Sequence, residues 1–349
     1  MIFELQQFLL NEWHDFQFNL PRPNEISVIQ RSSTWRKGQG KIVQLLFRRN
    51  DRQPFAVAKF ARNEAYRQSI VREFEQLRCV RQQAAPEFNQ TLPRPLWLGE
   101  IGGKTIYLES ACQGQSLSRM LSDCRFFLQR KVVQTYELAA DWLKAFATEL
   151  SRHSVTASEP QMERFLDEPL DRILRQNDLS TAEAQLVHRL QRAFIAVQRQ
   201  RVPLVPSHGD FGGGAILLNN QKIAVIDWEF FQPQCLPLFD LFKLLIHPGV
   251  AFVKRPTWGM LDQLRTLFEV PWYAELARRL VLNHCSELNL RPEWAGILFP
   301  IFLIQLIARH DADRTPSERQ GADWRTLFTY YADCWAQRRL EQASWLEFE

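Results

Sequence analysis

The sequence predicts an α+β protein of two lobes, with a small N-terminal antiparallel sheet carrying one helix and a larger, mainly helical C-terminal lobe. Three observations predict it. Short runs in which apolar and polar residues alternate fill the first third of the 349-residue chain, as half-buried strands require. From Gly114 onward apolar residues recur at helical spacing. That helical remainder is interrupted once, at 215–227, by two short apolar runs flanking a tight turn. The expected division is a lobe of residues 1–110 and a lobe of residues 111–349.

The elements follow in order. MIFELQQFLLNEWHDF reads as a short amphipathic helix; it has no basic leading region and is broken by Glu4, Glu12 and Asp15, so no signal peptide is expected. ISVIQR (26–31) and KIVQLLFRR (41–49) are strands separated by SSTWRKGQG. PFAVAKF (54–60) is a third, and its alternation puts Phe55, Val57 and Lys59 on one face. A helix from about Glu64 to Arg81 carries Ile70, Phe74, Leu77 and Val80 on one stripe, and two strands, PLWLGE (95–100) and KTIYLES (104–110), meet at Gly102 and Gly103. Beyond them, 126–150 is a long helix with Val133, Tyr136, Ala140, Leu143 and Ala147 on its apolar side. A helical block covers 160–200, with Ser180 and Glu183 spaced as a capping box. Helices separated by prolines continue to the C-terminus.

Composition narrows the function. A 46% hydrophobic and 23% charged chain is ordinary for a soluble enzyme and excludes collagen-like or disordered classes. The six cysteines show no CxxC pair or metal-ligand spacing and read as reduced thiols in a cytoplasmic protein. WAGILFPIFLIQLIA (294–308) is shorter than the roughly 20 residues a bilayer demands and contains Pro300 and Gln305, so a buried helix is expected and no membrane partner. A net charge of +4 favours phosphate-rich ligands mildly, but no Lys/Arg cluster is interleaved with aromatics, and no nucleic-acid partner is expected. Nothing in the pattern specifies an oligomeric state.

The chemistry concentrates in SHGDFGGGAILL (207–218), the turn NNQK, and IAVIDWE (223–229). Asp210 and Asp227 each stand at the edge of an apolar run, the arrangement of a phosphoryl-transfer centre in which one carboxylate orients a hydroxyl and the other holds Mg²⁺. Lys59 ends the Ala-Val-Ala-Lys strand, and the following helix offers Glu73, with Glu75 as a rival about 200° further round. Lys59 alone reads equally as a lysine snorkelling from a sheet edge; the order of loop, strand and helix gives it a phosphate-gripping role with Glu73 as its partner. SSTWRKGQGKIV is either a polar hairpin loop or a flap, with Ser33, Gly38 and Gly40 bringing donors toward phosphate oxygens. Glu229 reads either as a neighbour of the metal or substrate or as a solvent-facing strand end.

With these residues the chain resembles the aminoglycoside phosphotransferase and choline kinase family, which has a protein-kinase-like fold. SHGDF at 207–211 and VIDWE at 225–229 carry the resemblance, supported by PLFDL at 237–241, AVAK at 56–59 and REFEQL at 72–77. It implies an ATP-dependent enzyme that phosphorylates a hydroxyl of a small-molecule substrate such as an amino alcohol, sugar or aminoglycoside, with Mg²⁺ as the metal. Asp210 would be the hydroxyl-orienting carboxylate, Asp227 the metal ligand and Lys59 the phosphate contact held by Glu73. His208 would brace the catalytic loop and Asp240 would tie it to the next helix, where the alternative for Asp240 is a simple N-cap. Leu108, Glu109 and Ser110 would connect the lobes and meet the adenine with their backbone.

The chain departs from that pattern at Ala215, where the family places a metal-binding Asn. A methyl group neither binds metal nor donates a hydrogen bond. Asn219 and Asn220 lie about 13 Å further along an extended strand, too far to substitute. A kinase-shaped binding protein with weakened catalysis is therefore the second reading. Gly212, Gly213 and Gly214 fit either a close substrate approach or a loop released from geometric demands. For the acceptor, Glu163, Asp167, Glu168, Asp311 and Asp313 would suit a cationic amine, and Trp258, Trp272, Trp294 and Trp324 would stack on a sugar; the plain alternatives are a solvated helix surface and ordinary packing.

Overall fold

A computed structural model describes residues 2–16, 18, 20–32, 41–122, 128–150, 159–175, 179–198, 202–246, 260–312 and 323–346. The chain divides into two compact units, one formed by residues 1–115 with 215–231 and the other by 116–214 with 232–349.

The first unit is a five-stranded antiparallel sheet in the order β1-β2-β3-β5-β4, from β1 (Ile26–Ser32), β2 (Lys41–Arg48), β3 (Ala56–Ala61), β4 (Pro95–Ile101) and β5 (Lys104–Ser110). Strand alternation divides its side chains between two faces. Ala58 and Phe60 of β3 pair with Leu108 and Ile106 of β5. With Leu46, these residues join one apolar cluster that also contains Leu5 and Leu9 of helix α1 (Ile2–Asn11), Trp13 and Phe16. Val57 and Lys59 pair with Glu109 and Tyr107 and point to the other face. Helix α2 (Arg67–Gln83) covers that side, with Phe74 edge-on to Tyr107 at 5.5 Å. Phe55 does not share the face of Lys59 as the alternation suggested. It precedes β3, escapes the strand's geometry and packs with Trp13 and Phe18. The β4–β5 turn holds Gly102 and Gly103 at φ 57° and 71°, a two-residue hairpin that needs positive φ at both positions.

The chain passes into the second unit at the two-residue strand β6 (Gln115–Ser116). Then come α3 (Leu117–Ser122), α4 (Leu128–Leu150), α5 (Glu159–Leu174), α6 (Thr181–Gln198) and strand β7 (Val205–Ser207). The hairpin of β8 (Ile216–Asn219) and β9 (Lys222–Val225) belongs to the first unit, and its two-residue turn places Asn220 and Gln221 at φ 46° and 67°. After it, β10 (Gln232–Cys235) pairs antiparallel with β7, and α7 (Phe239–Leu245), α8 (Met260–Glu269), α9 (Pro271–Glu287), α10 (Trp294–Ala312) and α11 (Asp323–Ala336) complete the second unit. Helix α4 buries Val132, Tyr136, Ala140, Leu143 and Phe146, so its stripe is centred one residue away from Val133.

Helix α10 buries Leu298, Phe299, Ile301, Phe302, Leu303 and Ile304 on successive sides, the signature of a central core helix. No helix among the described residues is long and apolar enough to cross a membrane. At the start of α6 the capping box forms: the Glu183 N–H donates to Ser180 Oγ at 3.3 Å and the Ser180 N–H donates to Glu183 Oε2 at 2.8 Å. Arg325 and Thr329 of α11 also donate to the Glu183 carboxylate, so the cap fastens two helices together.

His284 of α9 is buried, and its Nδ1 has no hydrogen-bond partner among the described residues. Burial, with the nearby Lys144 charge, depresses its pKa from 6.5 to about 4. The neutral imidazole therefore contributes stability that is present above pH 6.5 and is lost as pH falls from there toward 4, in total about 3 kcal/mol. We expect the melting temperature of the wild type to fall more steeply than that of His284→Gln over that range. Parallel melting curves against pH would show that the ring is not a stability switch.

Candidate functional site

In the first unit, the strand that carries Lys59 and the helix that carries Glu73 build an ionic hub. Lys59 is only 2% exposed. Its Nζ donates to Glu73 Oε1 at 2.5 Å and to Asp227 Oδ1 at 2.8 Å, and it lies 2.8 Å from Glu109 Oε1. Glu75 is exposed, so Glu73 is the helix residue that turns inward. A second lysine joins the hub. Lys41, at the start of β2, donates to Glu73 Oε2 at 2.5 Å and lies 2.8 Å from Glu229 Oε2. Ser69 also donates to Glu229, and Tyr107 donates to Glu109 Oε2 at 2.6 Å. Two ammonium groups thus bind four carboxylates.

The electrostatics follow from burial opposed by pairing. Burial, the largest influence on Lys59, works to lower its pKa, but Asp227, Glu109 and Glu73 together outweigh it and hold the pKa well above the usual lysine value. Lys41 is raised in the same way by Glu73 and Glu229. Glu109 is pushed up by burial against the pull of Lys59, and Glu229 by burial against the pull of Lys41. Both lysines are consequently charged throughout the neutral range.

Asp227 differs from the other carboxylates of the hub, because 43% of its side chain remains exposed. It follows β9 with φ 65° and ψ 63°, a left-handed conformation that costs of order 1–3 kcal/mol for a non-glycine residue. The turn Trp228–Phe230 that it opens packs against α2, with Trp228 fully buried. No group of three or more His, Cys, Asp or Glu side chains able to cage a metal occurs among the described residues. A lone hard oxygen donor of this kind suits Mg²⁺, which keeps several waters and is commonly bound by one or two carboxylates with substrate phosphates.

Asp210 stands in the second unit on a loop fixed by its backbone. The Asp240 carboxylate accepts from the His208 N–H at 2.6 Å and from the Gly209 N–H at 2.9 Å. Arg309 donates to the Gly209 carbonyl at 2.6 Å, and the Asp210 N–H donates to His208 Nδ1 at 3.3 Å. His208 is fully buried, edge-on to Phe211, which stacks on Trp142. Burial raises the pKa of Asp240, opposed by the neighbouring His208 and by the two backbone donors. Asp240 lies inside α7 behind an N-cap at Leu238, so its carboxylate serves the loop and not the helix end. The Asp210 side chain remains 47% exposed, and Lys243 of α7 lies 2.9 Å from its Oδ1.

Of the three glycines, Gly213 is the one packed tightly: a Cβ there would come 2.5 Å from Ser118 Oγ, whereas at Gly214 it would meet nothing within 4 Å. Ala215 is buried and its carbonyl accepts from the Ile226 N–H at 2.9 Å. Ser33, Gly38 and Gly40 lie outside the described residues, as do Cys124, Trp258 and Asp313 and the side chains of Asp311 and Trp324. Trp294 is buried, so it is not presented for stacking on a sugar, and Trp272 is half-buried and packs edge-on to Tyr273. Burial pushes the thiols of Cys112 and Cys235 up to about 12, which rules them out as activated nucleophiles.

Sequence reading found Lys59, Glu73 and the two aspartates, but it did not find Lys41, Tyr107, Ser69 or Lys243. For Lys41 a signal existed: it is two residues before Val43, the cross-strand partner of Lys59, and so shares its face.

A sheet flanked by helices that presents a buried Lys–Glu pair beside a half-exposed Asp, and a helical unit that presents a second half-exposed Asp, define a kinase-like fold. The phosphotransferase enzyme family APH matches residues 39–263, more than half of the chain, and the protein belongs to that family. No curated protein sequence matches it. Among solved structures, it is similar to a thermostable mutant of aminoglycoside phosphotransferase APH(4)-Ia in ternary complex with AMP-PNP and hygromycin B, with a TM-score of 0.55, 16% identity, and 98% of this chain and 99% of that one covered. The GDP and kanamycin complex of APH(2")-IIIa matches with a TM-score of 0.52, 13% identity and 98% of both chains covered. Amicoumacin kinase hAmiN, in complex with AMP-PNP, Ca²⁺ and Ami, matches with a TM-score of 0.51, 11% identity, and 98% of this chain and 95% of that one covered. At these identities the likeness establishes the fold.

Proposed function

We propose that the protein transfers the γ-phosphate of ATP to a hydroxyl of a small molecule, an amino alcohol, sugar or aminoglycoside. The observation that carries this reading is the ion pair between buried Lys59 and Glu73, joined to a half-exposed Asp227. A lysine held by a helix glutamate is the device that fixes a cation against nucleotide phosphates. Asp227 would hold a Mg²⁺ shared with those phosphates, and the ion would neutralise charge on the transferring group. Lys59 keeps its charge because Glu73 and Glu109 surround it, and Asp210 orients the acceptor hydroxyl. Because the phosphoryl transition state is loose, Asp210 has more to do in positioning than in removing a proton early.

Ala215 favours the weaker alternative, a kinase-shaped protein that binds nucleotide and turns over slowly. Nucleotide binding with and without Mg²⁺, followed by a transfer assay over a panel of amino alcohols, sugars and aminoglycosides, separates the two. Absence of nucleotide binding at every Mg²⁺ concentration would end both readings. If metal is limiting, Ala215→Asn is expected to lower the Mg²⁺ concentration needed for half-maximal activity by roughly tenfold, the scale of change typical when support for a metal site is altered. An unchanged metal dependence would show that position 215 does not set it.

A further inference from the structure

We propose that Lys243 is a positioning residue for Asp210, supplying a side-chain donor to its carboxylate. The inference rests on the phosphotransferase reading and deepens it at the acceptor side.

The argument starts from what an orienting carboxylate needs. To hold a hydroxyl in line, Asp210 must stay in one rotamer, since a misplacement of about 1 Å can cost on the order of a hundredfold in rate. Its backbone is fixed by Asp240, His208 and Arg309. The carboxylate itself is half exposed, so its rotamer depends on the side chains that hold it. Lys243 meets that need, lying 2.9 Å from Asp210 Oδ1 with its own side chain 8% exposed.

The placement on α7 is specific. Asp240 and Lys243 are three residues apart and so lie on one side of the helix. The first holds the loop backbone through the N–H groups of His208 and Gly209, and the second holds the side chain that the loop presents. The desolvation of an ammonium this deeply buried is offset by such a partner.

Hydrolysis of ATP in the presence of Mg²⁺, with water as acceptor, is the test, run on the full chain alongside nucleotide binding measured by thermal shift. Lys243→Met is expected to lower kcat by roughly 10²-fold, the scale of a lost positioning contact, with nucleotide affinity kept. The acidic limb of the kcat profile should move upward, because Asp210 loses a neighbouring cation. His208, Asp240 and Arg309 also face this loop, and none of them is changed. Lys243→Arg should restore most of the rate and return the limb. Where Lys243→Met does not fold, Lys243→Gln takes its place with the same two expectations.

A folded neutral variant that turns over like the wild type, or that loses rate with an unmoved acidic limb, overturns the proposal while the kinase reading stands. A wild type that binds no nucleotide overturns both.

Discussion

Asp210→Asn is expected to reduce turnover by roughly 10²–10⁴-fold, the range for removal of a positioned general base, while nucleotide affinity stays near the wild-type value. The substitution is nearly isosteric, and the loop that carries it is held from elsewhere, by Asp240 through two backbone donors and by Arg309 through the Gly209 carbonyl. The fold should therefore survive, and what is lost is the negative charge that pairs with Lys243 and, under the proposed function, faces the acceptor. The expected kinetic signature is a fall in kcat with little change in the KM for nucleotide. Steady-state rates with ATP varied at saturating acceptor measure both. A variant with wild-type kcat would remove Asp210 from the chemistry, and one with collapsed nucleotide affinity would place it on the wrong substrate.

Lys59→Met should be the most damaging change to the first unit. Lys59 touches Glu73, Glu109 and Asp227, and without it three carboxylates face one another around a methionine. Breaking a buried pair by removing one partner costs about 3–5 kcal/mol, because the remaining charge stays desolvated. Lys41 continues to neutralise Glu73 and Glu229. The variant should lose nucleotide binding and melt well below the wild type. The pH dependence has a definite sign. Burial already raises the pKa of Glu109, and without Lys59 that pKa rises further above its unfolded value. Such a group costs stability when ionised, so the deficit of the variant should shrink as pH falls from neutral through the carboxylate range. Melting curves of the two proteins from pH 7 to about pH 4.5 check this, and a deficit that widened on acidification would contradict it. In the wild type the raised pKa of Lys59 means that its contribution is present below the unfolded lysine value near 10.5 and is lost only as pH climbs through the higher folded value.

Much of this was legible in the sequence, for identifiable reasons. Strands β1 to β5 announced themselves by alternation and by the Gly102–Gly103 turn, and the apolar run at 294–308 by its length and its proline. The placement of Glu73 over Glu75 followed from the stripe of Ile70, Leu77 and Val80, which fixes the inward side of α2. Other features required the register between strands, which one strand cannot reveal. Lys41 became a member of the hub only once β2 was set against β3 with Val43 opposite Lys59. Glu109, expected to contribute its backbone, turns its side chain onto Lys59 because it faces Val57 across the β3–β5 ladder. Lys243 had no local signal at all, since its partner lies 33 positions earlier and is reached by tertiary folding alone. Phe55 was misplaced because the strand begins at Ala56, two residues later than its pattern suggested.

The inclusion of residues 215–231 in the first unit bears on how the protein is made. The counter-ion of Lys59 at Asp227 is separated from it by 168 positions. Domains commonly fold as units while the chain emerges from the ribosome, but here the earlier unit cannot be completed until about a hundred residues of the later one have been synthesised. A nascent chain paused before Asp227 would hold an unfinished charge cluster, and translation rate through that interval becomes a determinant of yield.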